Sequence, residues 1–376
     1  MRSKSIEENA KPFLVWTIVS GAVLGLAAVL LVRLGNPLNM GVCSACFLRD
    51  VAGGLNLFAA PAGLQYLRPE VPGFLLGAFA AALLFREFKS SGGASPLLRF
   101  ILGAFVMIGA MVFMGCPIRC MLRLGGGDYT TALVGLGGLI AGIGVASFFI
   151  ARGFTLGTGK DQPRLAGFVA PLMGIGLVLF ILHLAFGKDG DPKGLIQTKW
   201  HAPLLASLGI AFVIGIFAQR SRFCSVGGFR DVMLGNGWRL LYGYIALFVA
   251  VLAGNLLIDL VWLGGRAQFQ WGVSPAAHHE HLWNFLGLFL VGLGAVLVGG
   301  CPFRLLMAAG QGNADAALTL MGLLFGAAFC HNFGLIAKPD TLEAAGGPTF
   351  AAMTAVVLGI VVCVLVGHFC RPQRKA

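Results

Sequence analysis

"CSACFLRDV" (Cys43–Val51) aligns without a gap on "CSVGGFRDV" (Cys224–Val232), so that cysteine, serine, arginine and aspartate recur 181 residues apart. A second pair follows in the same order. "GCPIRCMLRLGGGD" from Gly115 matches "GCPFRLLMAAGQGN" from Gly300, which sets Cys116, Pro117 and Arg119 opposite Cys301, Pro302 and Arg304 at an offset of 185. Two different motifs repeated in order at nearly one offset indicate an internal duplication. Leu/Gly/Ala-rich helices do not reproduce Cys-Pro-x-Arg and x-Arg-Asp together by chance.

Composition sets the class in which this duplication operates. Hydrophobic residues make up 57% of 376 positions and charged residues 11%, against about 25% charged in soluble proteins. Repeated apolar runs of about 20 residues are long enough to cross a bilayer as helices. They lack the apolar/polar alternation of a membrane barrel. The expected fold is an all-α polytopic membrane protein embedded in a lipid bilayer. Ten spans are expected, at 12–34, 71–86, 97–115, 130–152, 165–187, 202–219, 240–264, 283–300, 315–336 and 349–369. The first is too long for a signal-peptide core and counts as a span. The net charge of +12 then fits basic cytoplasmic loops, and no nucleic-acid partner is expected.

Loop charge orients the chain. With the N-terminus inside, the inner loops collect Arg2, Lys4, Lys11, Arg86, Lys89, Arg99, Arg152, Lys160, Arg164, Arg220, Arg222, Arg371, Arg374 and Lys375. The outer loops hold Arg68, Lys188, Lys193, Lys199, Arg266 and Lys338. Fourteen against six puts both termini in the cytoplasm of a bacterial inner membrane, which needs an even number of spans. The linker between halves is expected at 187–203, giving a five-span repeat over 1–187 and a second over 188–376. A repeat with an odd number of crossings enters the membrane from the opposite side the second time, so the halves are expected to be inverted-topology repeats. Segments 38–60 and 222–238, Gly-rich and charged, read as short re-entrant or broken helices lining a path.

Ionisable residues inside a membrane protein normally face a partner or a cavity. Arg49–Asp50 and Arg230–Asp231 read as structural ion pairs bracing each half. Arg119 and Arg304 have no adjacent acid, and either attract an oxyanion or cap helix C-terminal carbonyls. Gly-Cys-Pro-x-Arg also reads as a helix start, because proline suits the first turn and the N-terminal N–H groups attract anions. Cys330, Cys363 and Cys370 fit small buried hydrophobes. Cys43, Cys116, Cys224 and Cys301 instead recur beside proline or an Arg-Asp pair, one thiol per motif. Cys46 faces Gly227 and Cys120 faces Leu305 in the alignment, so both are secondary candidates. A thiol donor beside helix dipoles suits a soft anion containing sulfur or selenium.

Other polar features are weaker. His278–His281, "HHEH", reads as solvated loop histidines ahead of a metal site, and neither metal nor cofactor is expected. Asp128 and Asn313 occupy matched positions and read as turn or cap residues. His331–Asn332 is a pore-lining pair or a satisfied core pair. Gly125–Asp128, "GGGD", lacks the Lys-Ser/Thr of a phosphate loop.

The paired motifs "GNPLNMGVCSACFLRDVAG" with "SRFCSVGGFRDVMLG", and "GCPIRC" with "GCPFR", resemble the YeeE/YedE sulfur-transport family over essentially the whole chain. The "NMGVCSACFLRD" version is most similar to the YedE branch linked to selenium metabolism. The resemblance implies a non-enzymatic importer, with a thiosulfate branch that passes its substrate along cysteines by S–H···S contacts through an hourglass-shaped protein. Carried over by motif, those thiols are Cys43, Cys116, Cys224 and Cys301, while Cys46 and Cys120 depart from the plain pattern. The resemblance also implies a cytosolic TusA-like sulfur carrier as partner. The expected function is import of a small selenium- or sulfur-containing anion. Two alternatives stand beside it, a membrane thiol-disulfide oxidoreductase using Cys43 and Cys46, and a soft-metal transporter.

Overall fold

In the computed structural model the described residues are all but 1, 60–63, 158, 188–190, 192–193, 197–200, 262–268, 273–276, 342–343 and 371–376, with side chains from residue 13 onward. Lys188, Lys193, Lys199, Arg266, Arg371, Arg374, Lys375 and the side chains of Arg2, Lys4 and Lys11 therefore lie outside the described residues, as does most of the expected linker.

The first half runs through α1 (Arg2–Arg33), α2 (Ser44–Gly54), α3 (Glu70–Leu84), α4 (Pro96–Val112), α5 (Pro117–Gly125), α6 (Thr131–Ala151) and α7 (Arg164–Phe186). The second repeats the same order of long and short helices: α8 (Leu204–Ser221), α9 (Ser225–Met233), α10 (Arg239–Val261), α11 (His281–Val298), α12 (Pro302–Gly310), α13 (Ala314–Asn332) and α14 (Phe350–Phe369). Every expected span is a helix, and the expected re-entrant segments contain the short helices α2 and α9. Among the described residues nine helical segments are long and apolar enough to cross a membrane, and α3 is not. Its 15 residues reach about 22 Å at 1.5 Å per residue, short of a hydrocarbon core of about 30 Å. It starts at a buried ion-paired glutamate and is walled by protein, with Gly77 against the Phe212 carbonyl of α8 and Gly215 against that of Phe74.

The long helices pack crosswise between halves: α1 on α10, α3 on α8, α6 on α11, and α4 on α13. Apolar attraction between helices is weak in lipid, so close backbone approach through small residues does this work. On α6, Gly138 and Gly142 lie against the carbonyls of Phe285 and Phe289 on α11. On α13, Gly322 and Gly326 lie against those of Phe100 and Ala104 on α4. Both glycines and both carbonyls recur at offsets of 184 and 185, so the register of one helix pair repeats in the other.

Two breaks create the short helices α5 and α12. At Met114 φ is +61° and at its equivalent Gly299 φ is +97°, left-handed geometry that stops α4 and α11 before the Cys-Pro steps.

Interloop bonds sort the described loops onto two faces. On one, Gln270 N donates to Gly126 O, Leu67 N to Leu195 O, Ala202 N to Asn36 and Asn332 to Leu57 O. On the other, Ser91–Gly92 pairs antiparallel with Lys160–Asp161, Lys89 N donates to Gln311 O and Thr155 N to Cys370 O. Phe13 lies under Arg220 and Arg239 on this second face. Both ends of the described chain therefore share it.

Candidate functional site

Each of the four recurring cysteines occupies the N-cap of a short helix: Cys43 of α2, Cys116 of α5, Cys224 of α9 and Cys301 of α12. Pro117 and Pro302 open the first turns of α5 and α12, where a missing N–H is not needed. The caps are extended and all four residues are buried. Three thiols turn back to their own helices: Cys43 Sγ accepts from Cys46 N at 3.4 Å, Cys224 Sγ from Gly227 N at 3.3 Å and Cys301 Sγ from Arg304 N at 3.5 Å. Cys116 makes no such bond and meets Cys43 instead, Sγ to Sγ at 3.5 Å. In the second half Cys224 and Cys301 lie 3.9 Å apart. The pairs are joined because α2 packs on α12 and α5 on α9, and Tyr244 of α10 donates to the Pro117 carbonyl at 2.6 Å.

The two thiol clusters are not equivalent. Cys46 Sγ lies 2.8 Å from Cys43 Sγ and accepts from Arg119 Nη1 at 3.2 Å, so the first cluster holds three thiols and a guanidinium. Gly227 fills that place in the second. Arg119 also caps the Met114 carbonyl at 2.6 Å, which realises the carbonyl-capping alternative for one nitrogen. Its buried Nε has no hydrogen-bond partner among the described residues. Arg304 is half-buried and donates to Gln219 Oε1 at 3.2 Å, while Gln219 donates to Glu87, itself paired with Arg220 at 3.0 Å. Neither Arg119 nor Arg304 has a carboxylate within ion-pair distance among the described residues. All nine cysteines are free thiols.

Arg49 meets Asp50 at 2.6 Å and Arg230 meets Asp231 at 2.7 Å, as adjacency suggested. The second pair is partly exposed, at 28% and 20%, and has no further ion-pair partner among the described residues. The first is the visible end of a larger network. Asp50 takes Arg68 on its other oxygen at 2.7 Å, Arg68 approaches Glu70 at 3.8 Å, and Asn36 bridges Arg68 and Glu70. Arg68, expected in an outer loop, is fully buried, where Asp50, Glu70 and Asn36 hold its guanidinium. Sequence reasoning missed Arg68, Glu70, Asn36 and Gln219, none of which sits in a repeated motif.

Cys120 points away from the thiol cluster and donates to the Ala132 carbonyl of α6 at 3.3 Å. His331 stacks on Phe58 at 4.2 Å and its neighbour Asn332 bonds the Leu57 carbonyl, tying α13 to the segment after α2. Asn313 caps α13 as expected, accepting from Ala316 N at 2.8 Å. Asp128 accepts from Thr131 N and also pairs with buried Arg123 at 2.9 Å. Burial opposes the Asp128 carboxylate, but Arg123 and Thr131 outweigh it and hold its pKa below the ordinary value. In "HHEH", burial lowers the His278 pKa; its Nε2 lies 2.9 Å from the Val112 carbonyl, and His279 is engaged by Asp340. Among the described residues no group of three or more histidines, cysteines or carboxylates is placed to hold a metal.

Fold and site together define an all-α polytopic membrane protein whose broken helices present cysteine-capped N-termini to one another. Residues 220–373 match the family described as sulphur transport. The thiosulfate transporter TsuA of Escherichia coli (strain K12) is 31% identical over 109 residues, 29% of each chain. TsuA of Spirochaeta thermophila is 33% identical over 107 residues, 28% of this chain and 30% of the relative. The matched stretch thus spans less than a third of either relative.

Proposed function

We propose that the protein imports a small sulfur-containing anion, thiosulfate or a selenium compound of like shape, across the bacterial inner membrane, with both termini in the cytoplasm. The observation that carries this reading is the set of four thiols at four helix N-termini. Backbone N–H groups and helix dipoles favour the anionic oxygens, and thiols favour the polarisable chalcogen. Cys43 and Cys116 receive the anion on one face, Cys224 and Cys301 pass it to the other, and Arg119 and Arg304 offset its charge. The half-repeats 1–187 and 188–376 act as inverted units around this path, supported by the crosswise helix pairs of equal register. The names of the two relatives favour thiosulfate; a selenium compound rests on the motif resemblance alone. A TusA-like carrier is the proposed acceptor on the cytoplasmic side.

The 2.8 Å Cys43–Cys46 contact also favours a second reading, thiol-disulfide exchange at this pair. Uptake into proteoliposomes of labelled thiosulfate, selenite and sulfate separates the readings. Thiosulfate or selenite uptake exceeding that of sulfate is expected. Absence of uptake of all three, with quinone- or disulfide-dependent oxidation of Cys43 and Cys46, would replace transport by exchange.

A further inference from the structure

The buried network beside Cys43 and Cys46 has no equivalent among the described residues of the second half, and the thiol path does not use it. Cys46 and Arg49 lie one turn apart on α2, so the network and the three-thiol cluster share one short helix. Its two carboxylates are held differently. Asp50 spends Oδ1 on Arg49 and Oδ2 on Arg68, so a proton there would break charge-assisted bonds to both. Glu70 is fully buried. Its Oε1 accepts from Asn36 at 2.9 Å, and its Oε2 has no hydrogen-bond partner among the described residues. A proton on Glu70 Oε2 displaces no donor and leaves Arg68 paired with Asp50.

Charge gives that proton a consequence. Arg49 and Arg68 balance Asp50 and Glu70 while Glu70 is ionised. With Glu70 neutral the network carries one net positive charge, one helical turn from the three-thiol cluster. Among the described residues the other titratable groups around it are Tyr66, His201 stacked on Tyr66 at 3.7 Å, His331 beside Phe58, and Asp191, whose carboxylate is taken by the amides of Leu195 and Ile196.

We propose that Glu70 is a proton-binding site linked to anion binding at the Cys43–Cys46–Cys116 cluster, so that proton and anion occupy this side of the protein together. The inference rests on the reading that an anion enters here. It deepens it by naming the coupling ion: a dianion moving into a negative-inside cell works against the membrane potential, and a proton bound with it offsets part of that charge. Linkage is reciprocal, so the anion must raise proton occupancy as much as the proton raises anion affinity.

The test uses the full chain in detergent with thiosulfate, which stays a dianion from pH 5 to pH 8. Wild-type affinity should strengthen about fivefold or more from pH 8 to pH 5.5, and binding in weak buffer should remove protons from solution, read by a pH indicator. Glu70→Gln, which mimics the protonated form, should bind at pH 8 as wild type binds at pH 5.5, with no proton uptake. His201→Gln and His331→Gln should keep the wild-type pH dependence. The proposal is overturned by wild-type binding without proton uptake, which needs no variant to fold. It is also overturned if pH dependence survives Glu70→Gln or disappears with either histidine. Failure of thiosulfate to bind at any pH would remove the anion reading itself, and this one with it.

Discussion

At the scale of single residues, cysteine is an odd choice of helix cap. Serine, threonine, aspartate and asparagine cap well because their oxygens accept strongly, and a thiol accepts weakly. Four short helices capped by cysteine therefore sacrifice capping strength for a soft S–H at each N-terminus. Cys→Ser at 43, 116, 224 or 301 should leave the melting temperature unchanged, or raise stability by up to about 1 kcal/mol, while sharply lowering thiosulfate uptake. Serine variants that transport normally would show the thiols to be structural. The arginines divide by partner. Arg49→Ala removes one of the two arginines that hold buried Asp50 and should cost about 1.5–3 kcal/mol, whereas Arg230→Ala, in a partly exposed pair, should cost about 1 kcal/mol or less. Asp231→Asn should restore the small loss at Arg230. Asp50→Asn should not rescue Arg49→Ala, because Arg68 then loses its own partner. Arg119→Ala and Arg304→Ala should spare the melting temperature and weaken uptake; losses of stability at these two, with uptake losses at Arg49 and Arg230, would reverse the assignment. The thiols and the Arg-Asp pairs were legible in the sequence because duplication prints them twice. Arg68, Glu70, Asn36 and Gln219 occur once and reach the site only through folding, so no spacing announced them.

At the scale of elements, hydropathy identified the helices but not their mutual register. Apolar runs of this length must be helical in lipid, and each expected span is one. Hydropathy does not measure whether lipid or protein surrounds a helix, which is why 71–86 reads like the other spans although α3, which joins the two faces, is short and walled by protein. Register depends on where backbones touch. Gly138-x-x-x-Gly142 and Gly322-x-x-x-Gly326 were legible as small-residue spacings only after their partners on α11 and α4 were known. A side chain at Gly142 or Gly326 must push against the carbonyl of a neighbouring helix. Gly142→Leu and Gly326→Leu should each cost about 1–3 kcal/mol by overpacking. Gly209→Ala, on an exposed stretch of α8 with nothing within 4 Å of the added carbon, should gain about 0.5 kcal/mol. Thermal unfolding in one detergent ranks the three, and equal effects at Gly142 and Gly209 would deny close helix contact.

At the scale of the whole molecule, matched turns of the two halves meet opposite faces. Gly126 and Gly127 after α5 bond to Gln270 and Gly272, whereas Gln311 and Gly312 after α12 bond to Lys89 and Ser91. Equivalent positions pointing to opposite sides are what an inverted duplication requires, and a duplication about an axis normal to the membrane would put both on one side. The face shared by the described chain ends carries Arg86, Lys89, Arg99, Arg152, Lys160, Arg164, Arg220, Arg222, Arg230 and Arg239; the other carries Arg33, Lys338 and the buried, ion-paired Arg68 and Arg123 among described loop and helix-end residues. By the positive-inside rule, the orientation proposed above makes the first face the cytoplasmic one. Lys160 and Thr341 are exposed on opposite faces, and the native thiols are buried except Cys370, which is half-buried, so labelling background is low. In intact cells an impermeant maleimide should label Thr341→Cys, and should label Lys160→Cys only after permeabilisation. Labelling of Lys160→Cys from outside would invert the orientation and, with it, the direction in which Cys43 and Cys116 precede Cys224 and Cys301. Labelling of both from the same side would deny that the two loops lie on opposite faces, and the inverted repeat would fall with it.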